Sequence, residues 1–372
     1  MDYEDNVREI INSACYDVGY AKRFLQKLKK RSICLYGLGA HGKNWYNYLS
    51  EQSIDIDYLF DNNPNRYNNS SEIFTKGKFL SSRELYSMRD KLSVLVAIRD
   101  SMPVIEKLKS EGFTNIYAAT VNMFSFDANY RYSGNPKKLR FMEKNILELL
   151  DLCEDDYSRM ICLQTIRNWF DESAVSIPVS DNQYFIPDIM VGDKEESFLD
   201  VGAYDGDTIK GFLRWCNGKW NHIYALEMEN DNYNLLRETV YDRLRLDPRK
   251  VTIYNMGAWD NDTSLAYRTN GSSSSFIKDG GKRALLKRLD NILMNKKITF
   301  IKMDIEGAEM KALKGGREII IKNHPKLAIC TYHKAEHLWE IPFYAKDLYS
   351  KYRVYFRHHG DDECETVCYI IP

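Results

Sequence analysis

The sequence predicts an α/β protein with two Rossmann-like domains joined by a helical connector. Strand-like apolar runs alternate with helical patterns in residues 32–118, and the same alternation returns from residue 197 onward. Between these regions, residues 139–170 show two amphipathic helical patterns and no strand. The expected domains are an N-terminal Rossmann-like domain at 1–128, a helical connector at 129–190 and a C-terminal domain at 191–372.

The N-terminal elements are predicted from apolar periodicity and turn residues. Helical periodicity runs through residues 1–30, and a short strand follows at 32–36. The next elements are a helix at 43–50, a strand at 56–60 that ends in the turn-rich 61–64, a strand at 92–98, a helix at 104–111 and a strand at 116–118. This order predicts a small parallel sheet with helices on its faces.

The C-terminal domain is predicted to contain a larger sheet. Its strands are expected at 198–201, 222–226, 251–254, 298–303 and 327–330. Two closing strands at 353–356 and 366–370 are separated by a polar loop, which predicts an antiparallel hairpin at the sheet edge. A parallel sheet finished by a reversed hairpin resembles the layout of class I methyltransferases.

Composition limits the classes of partner. Hydrophobic residues make up 44% of the chain and charged residues 28%, and the formal net charge is -1. A nearly neutral chain has no global field that attracts nucleic acid. No apolar run approaches the roughly 20 residues that span a bilayer, and the acidic start has no secretion signal. The eight cysteines are scattered, so we expect a reduced cytoplasmic protein. The charge and the apolar runs lead us to expect no nucleic-acid partner and no membrane span.

One turn carries the strongest sign of a cofactor. Asp200 ends an apolar strand, and Gly202 and Gly206 follow it before a polar, helix-starting stretch. Glycine lets the backbone turn sharply and approach a ligand closely. Glu227 ends the next strand, at the distance expected for an acid that binds ribose hydroxyls.

The motifs after this turn resemble those of one enzyme family. The segments 198–208, 225–227 and 255–259 are followed by KMDIEGAE at 302–309 and by Leu-Lys-Gly-Gly at 313–316. Together they resemble the FkbM family of S-adenosylmethionine-dependent O-methyltransferases, over roughly residues 197–372. One departure is Met228, which stands where the family commonly has a proline.

The resemblance implies roles for individual residues. Asp200 would lie near the amino group of S-adenosylmethionine, and Glu227 would accept hydrogen bonds from its ribose. Asp304 would face the methyl group and the acceptor. The other expected cofactor-binding residues are Gly202, Ala203, Tyr204 and Gly206 in the turn, Met228 after the ribose acid, and Met256, Gly257 and Ala258 near the adenine.

Methyl transfer to an oxygen needs a base that removes its proton. The candidate catalytic residues are Asp304, Glu306 and His333, and a histidine that titrates near neutral pH suits this role. His333 could equally be a polar surface residue. Glu306 and Glu309 could instead flank a helix start. The carboxylates Asp304, Glu306 and Asp260 could also hold a divalent ion, but no complete ligand set is apparent and we expect no metal.

Two polar segments have weaker interpretations. Residues 271–275, Gly-Ser-Ser-Ser-Ser, could present hydroxyls to a polar acceptor, although a flexible surface loop is the commoner reason for such a run. His358 and His359, with the acids at 361–363, are expected in the terminal hairpin loop. A solvated loop is favoured there over a metal site.

The N-terminal domain has a second glycine motif. Gly37, Gly39 and Gly42 fit the pattern GxGxxG between a strand and a helix, and Asp61 follows about twenty residues later. A nucleotide site and a scaffold that binds a partner are equally consistent with these residues.

The sequence therefore predicts an O-methyltransferase that acts on a hydroxyl of a small polar acceptor, such as a sugar or glycan precursor. One alternative is a nucleotide-dependent oxidoreductase or sugar-modifying enzyme centred on Gly37 and Asp61. The other is a binding module without catalytic activity. The helical connector is interpreted as a substrate lid or a dimerisation surface, so a homodimer is among the expectations.

Overall fold

The fold is given by a computed structural model, which describes residues 3–63, 74–120, 122–171, 176–269, 274–277, 281–360 and 364–372. The chain forms two compact units. The large unit contains residues 1–17, 132–267 and 276–372, and the small unit contains residues 18–131 and 268–275. Within the described ranges, no helix combines the length and the apolar character that crossing a membrane requires.

The first helical segment is two helices instead of one. Helix α1 (Tyr3–Tyr16) belongs to the large unit, and α2 (Tyr20–Leu28) belongs to the small unit. Gly19 lies between them with a φ of 89°. This left-handed backbone conformation cannot continue a helix, so the periodicity predicted across residues 1–30 is interrupted at this point.

The small unit contains a five-stranded parallel sheet. Its strands are β1 (Ser32–Tyr36), β2 (Tyr58–Phe60), β3 (Lys78–Phe79), β4 (Leu92–Val96) and β5 (Ile116–Ala118), in the order β3-β2-β1-β4-β5. Its further helices are α3 (Ala40–Glu51), α4 (Ser82–Ser87), α5 (Met102–Ser110) and α6 (Met123–Tyr132). The predicted small parallel sheet is confirmed, and this strand order is that of doubly wound folds.

Some elements of the small unit differ from the prediction. Strand β2 begins at Tyr58 instead of residue 56, because the Asp57 carboxylate accepts the Ile33 backbone N–H at 2.8 Å. That amide would otherwise extend the strand pairing. The two-residue β3 and the helices α4 and α6 were not predicted. Pro64, the last residue of the predicted turn, lies outside the described residues.

The two predicted connector helices are present in the large unit as α7 (Pro136–Leu152) and α8 (Asp156–Phe170). Each begins with a side chain that caps the free amides of its first turn. Asn135 accepts from Lys138 N at 3.2 Å, and Asp155 accepts from Ser158 N at 2.7 Å. Both helices pack against α1.

The remaining strands and helices belong to the large unit, apart from the β10–β11 turn region. The strands are β6 (Ser197–Val201), β7 (His222–Leu226), β8 (Val251–Tyr254), β9 (Gly257–Ala258), β10 (Thr263–Thr269), β11 (Ser274–Ile277), β12 (Lys282–Lys287), β13 (Phe300–Met303), β14 (Lys326–Cys330), β15 (Arg353–His358) and β16 (Thr366–Ile371). The helices are α9 (Asp207–Trp215), α10 (Asn230–Arg237) with a π-helical turn (Glu238–Arg243), α11 (Leu289–Ile292), α12 (Glu309–Gly315), α13 (Arg317–Asn323) and α14 (His337–Leu348).

A seven-stranded sheet forms the centre of the large unit, in the order β15-β16-β14-β13-β6-β7-β8. Strands β14, β13, β6, β7 and β8 are parallel, whereas β16 runs antiparallel to both β14 and β15. The predicted α/β class, parallel sheet and reversed terminal hairpin are therefore confirmed. Parallel strands place their carboxyl ends at one edge, where α/β proteins bind ligands.

Buried aromatic rings pack the two central strands of this sheet against a helix. Phe198 on β6 stacks on Phe212 of α9 with ring centroids 4.6 Å apart, and Phe300 on β13 lies 5.2 Å from Phe198. All three side chains are fully buried. Burying one such ring contributes about 1.5–3 kcal/mol, so β6 and β13 are held firmly against α9.

A smaller sheet occupies the region where an open loop was expected. Strands β11, β10, β12 and β9 pair in that order, with β10 antiparallel to β12. Of the serine-rich run, Ser274 and Ser275 lie in β11, and residues 271–273 lie outside the described residues.

The terminal histidines are in a different place from the one predicted. His358 is the last residue of β15, is 1% exposed, and has its Nδ1 2.8 Å from the Thr366 hydroxyl of β16. His359 has its Nδ1 2.7 Å from the Ser180 carbonyl and its Nε2 2.9 Å from the Tyr369 hydroxyl. The expected solvated loop is therefore wrong for these two residues, because strand pairing continues through His358. Residues 361–363 lie outside the described residues.

Candidate functional site

The glycine turn after β6 lies directly against the end of β13. Gly202 has a φ of 82°, and a Cβ on it would be 2.0 Å from the carbonyl oxygen of Asp304. No side chain fits there, so glycine is required for the two strand ends to approach. Gly206 caps α9 in the left-handed conformation. The methyl side chain of Ala203 is fully buried in the core.

Asp200 and Lys302 form a buried ion pair between adjacent strands. Their side chains are 0% and 3% exposed, and Lys302 Nζ lies 3.1 Å from Asp200 Oδ1. Lys302 Nζ also donates to the Gly202 carbonyl at 2.7 Å. Burial raises the pKa of Asp200 to about 6, against the opposing effect of Lys302. Apart from this ion pair, the Asp200 carboxylate oxygens accept no hydrogen bond from the described residues.

Glu227 follows β7 and contacts the glycine turn. Its Oε2 accepts from Tyr204 N at 3.0 Å, and its Oε1 accepts from Glu229 N at 2.7 Å. The residue is 7% exposed, and burial raises the pKa of its carboxyl to about 7 despite these two amides. A carboxylate has about four lone-pair sites, so Glu227 can also accept from a ribose.

The residues expected near the adenine lie together beyond Glu227. Gly257 forms β9, and a Cβ on it would be 3.5 Å from Met228 Sδ and 2.6 Å from the side chain of Leu286. Met256 and Met228 are half-buried, whereas Ala258 is 3% exposed. The structure therefore brings Met228 and Gly257 together, and it buries the side chain of Ala258.

Asp304 follows β13 and receives two tyrosine hydroxyls. Tyr184 donates to Oδ2 at 3.0 Å, and Tyr332 lies 3.3 Å from Oδ1. His333 Nε2 lies 3.6 Å from Asp304 Oδ1 and 3.6 Å from Glu306 Oε2. The three predicted catalytic residues are thus brought together. Tyr184 and Tyr332 were not predicted from the sequence, although Tyr332 directly precedes His333.

Glu309 holds His333 from the opposite side. It is fully buried, and its Oε1 lies 2.9 Å from His333 Nδ1 and accepts from Ile305 N at 3.0 Å. Its Oε2 lies 3.2 Å from His337 Nδ1. Glu309 therefore closes the turn before α12, as one of the alternatives expected, and it also anchors a histidine.

The pKa values change the expected role of His333. Burial alone would lower the pKa of His333, but Glu309, Asp304 and Glu306 raise it to about 9. The histidines lower the pKa of Glu309 despite its burial. Desolvation raises the pKa of Glu306 to about 7, although His333 opposes this shift. The surrounding carboxylates thus favour the imidazolium form of His333 at neutral pH, whereas the predicted role as a base needs the neutral imidazole.

Glu309→Gln should lower the pKa of His333, because it removes the closest of the carboxylates around the ring, 2.9 Å away. The others are Asp304 and Glu306, and His337 faces Glu309 from α14. Nuclear magnetic resonance titration of the imidazole nitrogens measures this shift. In the unaltered chain, stability from this raised pKa is fully present below 6.5 and is lost as the pH rises through about 9. An unchanged His333 pKa in the variant would contradict the assignment.

Several residues of this edge have a left-handed backbone without being glycine. Their φ angles are 67° at Tyr184, 48° at Tyr204, 57° at Glu306 and 73° at Glu365. Such conformations cost about 1–3 kcal/mol each and concentrate at functional sites. Their occurrence around Asp304 and Glu227 supports a functional role for this edge of the sheet.

Two groups of donor atoms at this edge are close enough to share an ion. One contains Asp304, Glu309 and His333, and the other contains Asp304, Cys330 and Glu365, each within 4.8 Å. In the first group, Glu309 and His333 already bind each other. Asp260, which was considered with the acids, instead pairs with Lys311 at 3.0 Å. No disulfide joins any of the eight cysteines, all of which the structure describes.

The glycine motif of the small unit lies between β1 and α3. Gly37 follows β1, Gly39 precedes α3, and Gly42 is buried in the first turns of that helix. Asp61 follows β2, is 7% exposed, and accepts from Leu38 N at 2.7 Å. The structure therefore brings the predicted acid against the glycine turn.

Comparison with known proteins agrees with this geometry. Residues 200–362 match the family model described as the methyltransferase FkbM domain. A crystal structure of methyltransferase FkbM from Methylobacillus flagellatus KT aligns with a TM-score of 0.67 and 19% identity, covering 99% of each chain. No protein with a curated description matches the chain.

Two further solved structures align with about half of this chain. An rRNA methylase from Streptococcus thermophilus has 12% identity and a TM-score of 0.33, covering 48% of this chain and 87% of its own. A SAM-dependent methyltransferase from Aquifex aeolicus has 17% identity and a TM-score of 0.32, covering 59% of this chain and 100% of its own. The alignment with the Methylobacillus flagellatus structure shows a class I methyltransferase-like fold, and the match to the methyltransferase FkbM family model covers residues 200–362, which is less than half of the chain.

Proposed function

We propose that the protein is an S-adenosylmethionine-dependent O-methyltransferase that acts on a hydroxyl of a small polar acceptor. The observation that carries this proposal is the contact between the glycine turn and Asp304. The carbonyl of Asp304 lies where a Gly202 side chain would be, so a methyl donor on the turn would present its methyl group beside the Asp304, Glu306 and His333 cluster.

The cofactor fits the chemistry of the residues present. Apart from its ion pair with Lys302, the buried Asp200 carboxylate accepts no hydrogen bond from the described residues, and it suits an ammonium group directly or through a water. Glu227 would bind the ribose, and Met228 and Gly257 would border the adenine. When bound, S-adenosylmethionine supplies a methyl group on a positively charged sulfur, which leaves with its bonding electron pair.

The acid cluster would orient the acceptor and take its proton. The acceptor oxygen forms a bond to the methyl carbon, and its proton passes to a carboxylate and then to water. We assign this proton to Glu306, because its side chain is 41% exposed and lies 3.6 Å from His333, so that it can pass the proton on to water. Asp304 would hold the acceptor hydroxyl, and the His333 imidazolium would hold both carboxylates in place.

The acceptor is proposed to be a sugar or glycan precursor. Asp304 is surrounded by groups that form hydrogen bonds with hydroxyls. The donors are the hydroxyls of Tyr184 and Tyr332, and the acceptors are the carboxylates of Glu306 and Glu365. The carboxylates of Asp304, Glu306 and Glu365 lie together at this edge, which disfavours anionic acceptors. Action in the cytoplasm and assembly as a homodimer stay predictions.

Incubation with methyl-labelled S-adenosylmethionine and a panel of neutral glycosides tests the reaction class. We expect label in a product that resists mild alkali, because an ether survives where a methyl ester is hydrolysed. Glu306→Gln should slow labelling at least about tenfold at pH 7, whereas the exposed Glu318→Gln should not change it. Label found only in alkali-labile esters or on amines would contradict O-methylation of a hydroxyl.

A further inference from the structure

The glycine turn of the small unit has the same backbone hydrogen bond and the same glycine conformation as the turn in the large unit. Gly37 N donates to the carbonyl of Phe60, the last residue of β2, at 2.8 Å. Gly202 N donates in the same way to Leu226, the last residue of β7, at 3.0 Å. The φ angles of the two glycines are 98° and 82°. Strands β1 and β2 thus correspond to β6 and β7.

The next strand of each sheet corresponds as well. A Cβ on Gly37 would be 2.9 Å from the Ala97 carbonyl oxygen and 2.7 Å from the side chain of Ile98. A Cβ on Gly202 would meet the Asp304 carbonyl oxygen and, at 2.9 Å, the side chain of Ile305. Ala97 directly follows β4 and Asp304 directly follows β13, so the two turns are closed by equivalent residues.

The acid after the second strand is held in the same way in both units. Asp61 accepts from Leu38 N of the glycine turn at 2.7 Å and from Asn63 N, two residues on, at 2.8 Å. Glu227 accepts from Tyr204 N of its turn and from Glu229 N, also two residues on. The side chain of Asp61 is one methylene shorter than that of Glu227. It accordingly accepts from Leu38 N, one residue past the first glycine, whereas Glu227 accepts from Tyr204 N, two residues past it. The small unit therefore has an acid held by two backbone amides, as in the proposed ribose site of the large unit.

The charged groups proposed for methyl transfer are absent from the equivalent described positions of the small unit. The buried pair Asp200 and Lys302, which are register partners, corresponds to the register partners Leu35 and Leu95. Both leucines are fully buried. Asp304 corresponds to Ala97. These described positions carry no group that would bind an ammonium or a sulfonium, which disfavours S-adenosylmethionine as the ligand of this turn.

One further difference between the two units indicates the charge of the ligand. Glu306, two residues past Asp304, corresponds to Arg99, two residues past Ala97. Arg99 is exposed at the carboxyl edge, before α5. The twelve-residue helix α3 begins at the same edge, and its N-cap residue, Gly39, has no side chain that could accept from the first amides. A cation and the start of a helix favour a phosphate.

We infer that the small unit binds a mononucleotide, with its ribose on Asp61 and its phosphates between the start of α3 and Arg99. A dinucleotide would need two complete mononucleotide halves. Among the described residues, the sheet supplies the three strands of one half, β1 to β3, and two further strands, β4 and β5. The ligand class is a nucleoside monophosphate or diphosphate, and the site is separate from the methyl-transfer site of the large unit.

Calorimetric titration of the full chain with ADP, GDP, UDP and CDP, and with the four parent nucleosides, tests this inference. We expect at least one diphosphate to bind at a single site, at least tenfold more tightly than its nucleoside. Arg99→Glu should remove this preference, and Asp61→Asn should weaken the diphosphate at least tenfold. The matched control is Arg83→Glu, an exposed arginine on α4 of the same unit, which should leave binding unchanged.

Saturation with S-adenosylhomocysteine separates the two sites. The diphosphate should bind equally well with and without it, and the result does not depend on whether S-adenosylhomocysteine itself binds. Arg99 is exposed, so Arg99→Glu should fold normally even if Asp61→Asn does not. The inference is overturned if no diphosphate binds, if Arg99→Glu binds as tightly as the unaltered chain, or if S-adenosylhomocysteine displaces the diphosphate.

Discussion

Replacing Lys302 with methionine should lower the free energy of unfolding of the large unit by about 3–5 kcal/mol. Lys302 and Asp200 are almost completely excluded from water, and Lys302 is the one charge 3.1 Å from that carboxylate. Without Lys302, Asp200 would be a buried, unpaired anion. Burial already raises its pKa to about 6, and loss of the cation would raise it further.

The matched control is Lys311→Met. Lys311 pairs with Asp260 at a similar distance of 3.0 Å, but its side chain is 49% exposed. Such surface pairs contribute about 0–1 kcal/mol, so this variant should unfold nearly as the unaltered chain does. Urea unfolding, followed separately for the two units, measures both values. Equal stability of the two variants would show that the buried ion pair does not support the cofactor turn.

The strands of both sheets were predictable because most buried parallel strands are short apolar runs that end at a polar residue or a glycine. The run from Ile223 to Glu227 is one example, and the run from Ile33 to Gly37 is another. The small sheet of β9 to β12 was not predictable in this way. Strand β12 alternates between buried and exposed residues over only a few positions, and the serine-rich segment beside it is typical of a loop.

The predicted site residues were those at the ends of strands, where position in the sequence determines position in the sheet. Tyr184 escaped prediction because it reaches Asp304 from a segment 120 residues earlier, and no local pattern reports such a contact. The charge of His333 could not be predicted from the sequence either. It depends on Glu309, which is 24 residues away in the chain but 2.9 Å away in space.

Glu227→Ala should weaken the binding of S-adenosylhomocysteine by about 100-fold or more. Two ribose hydroxyls bonded to a charged acceptor contribute about 1.5–3 kcal/mol each, and about 1.4 kcal/mol corresponds to a factor of ten. Asp231→Ala is the matched control, because Asp231 lies four residues further on with its side chain 76% exposed. That variant should bind as the unaltered chain does.

Calorimetric titration of the full chain with S-adenosylhomocysteine tests the central claim most directly. The residues of the large unit predict binding at one site, lost in Glu227→Ala and unchanged in Asp61→Asn, whose substitution lies in the other unit. Absence of binding, or binding that Glu227→Ala leaves unchanged, would contradict the assignment of this turn as the methyl-donor site. Tight binding of NADH without any response to S-adenosylhomocysteine would instead favour a nucleotide-dependent oxidoreductase.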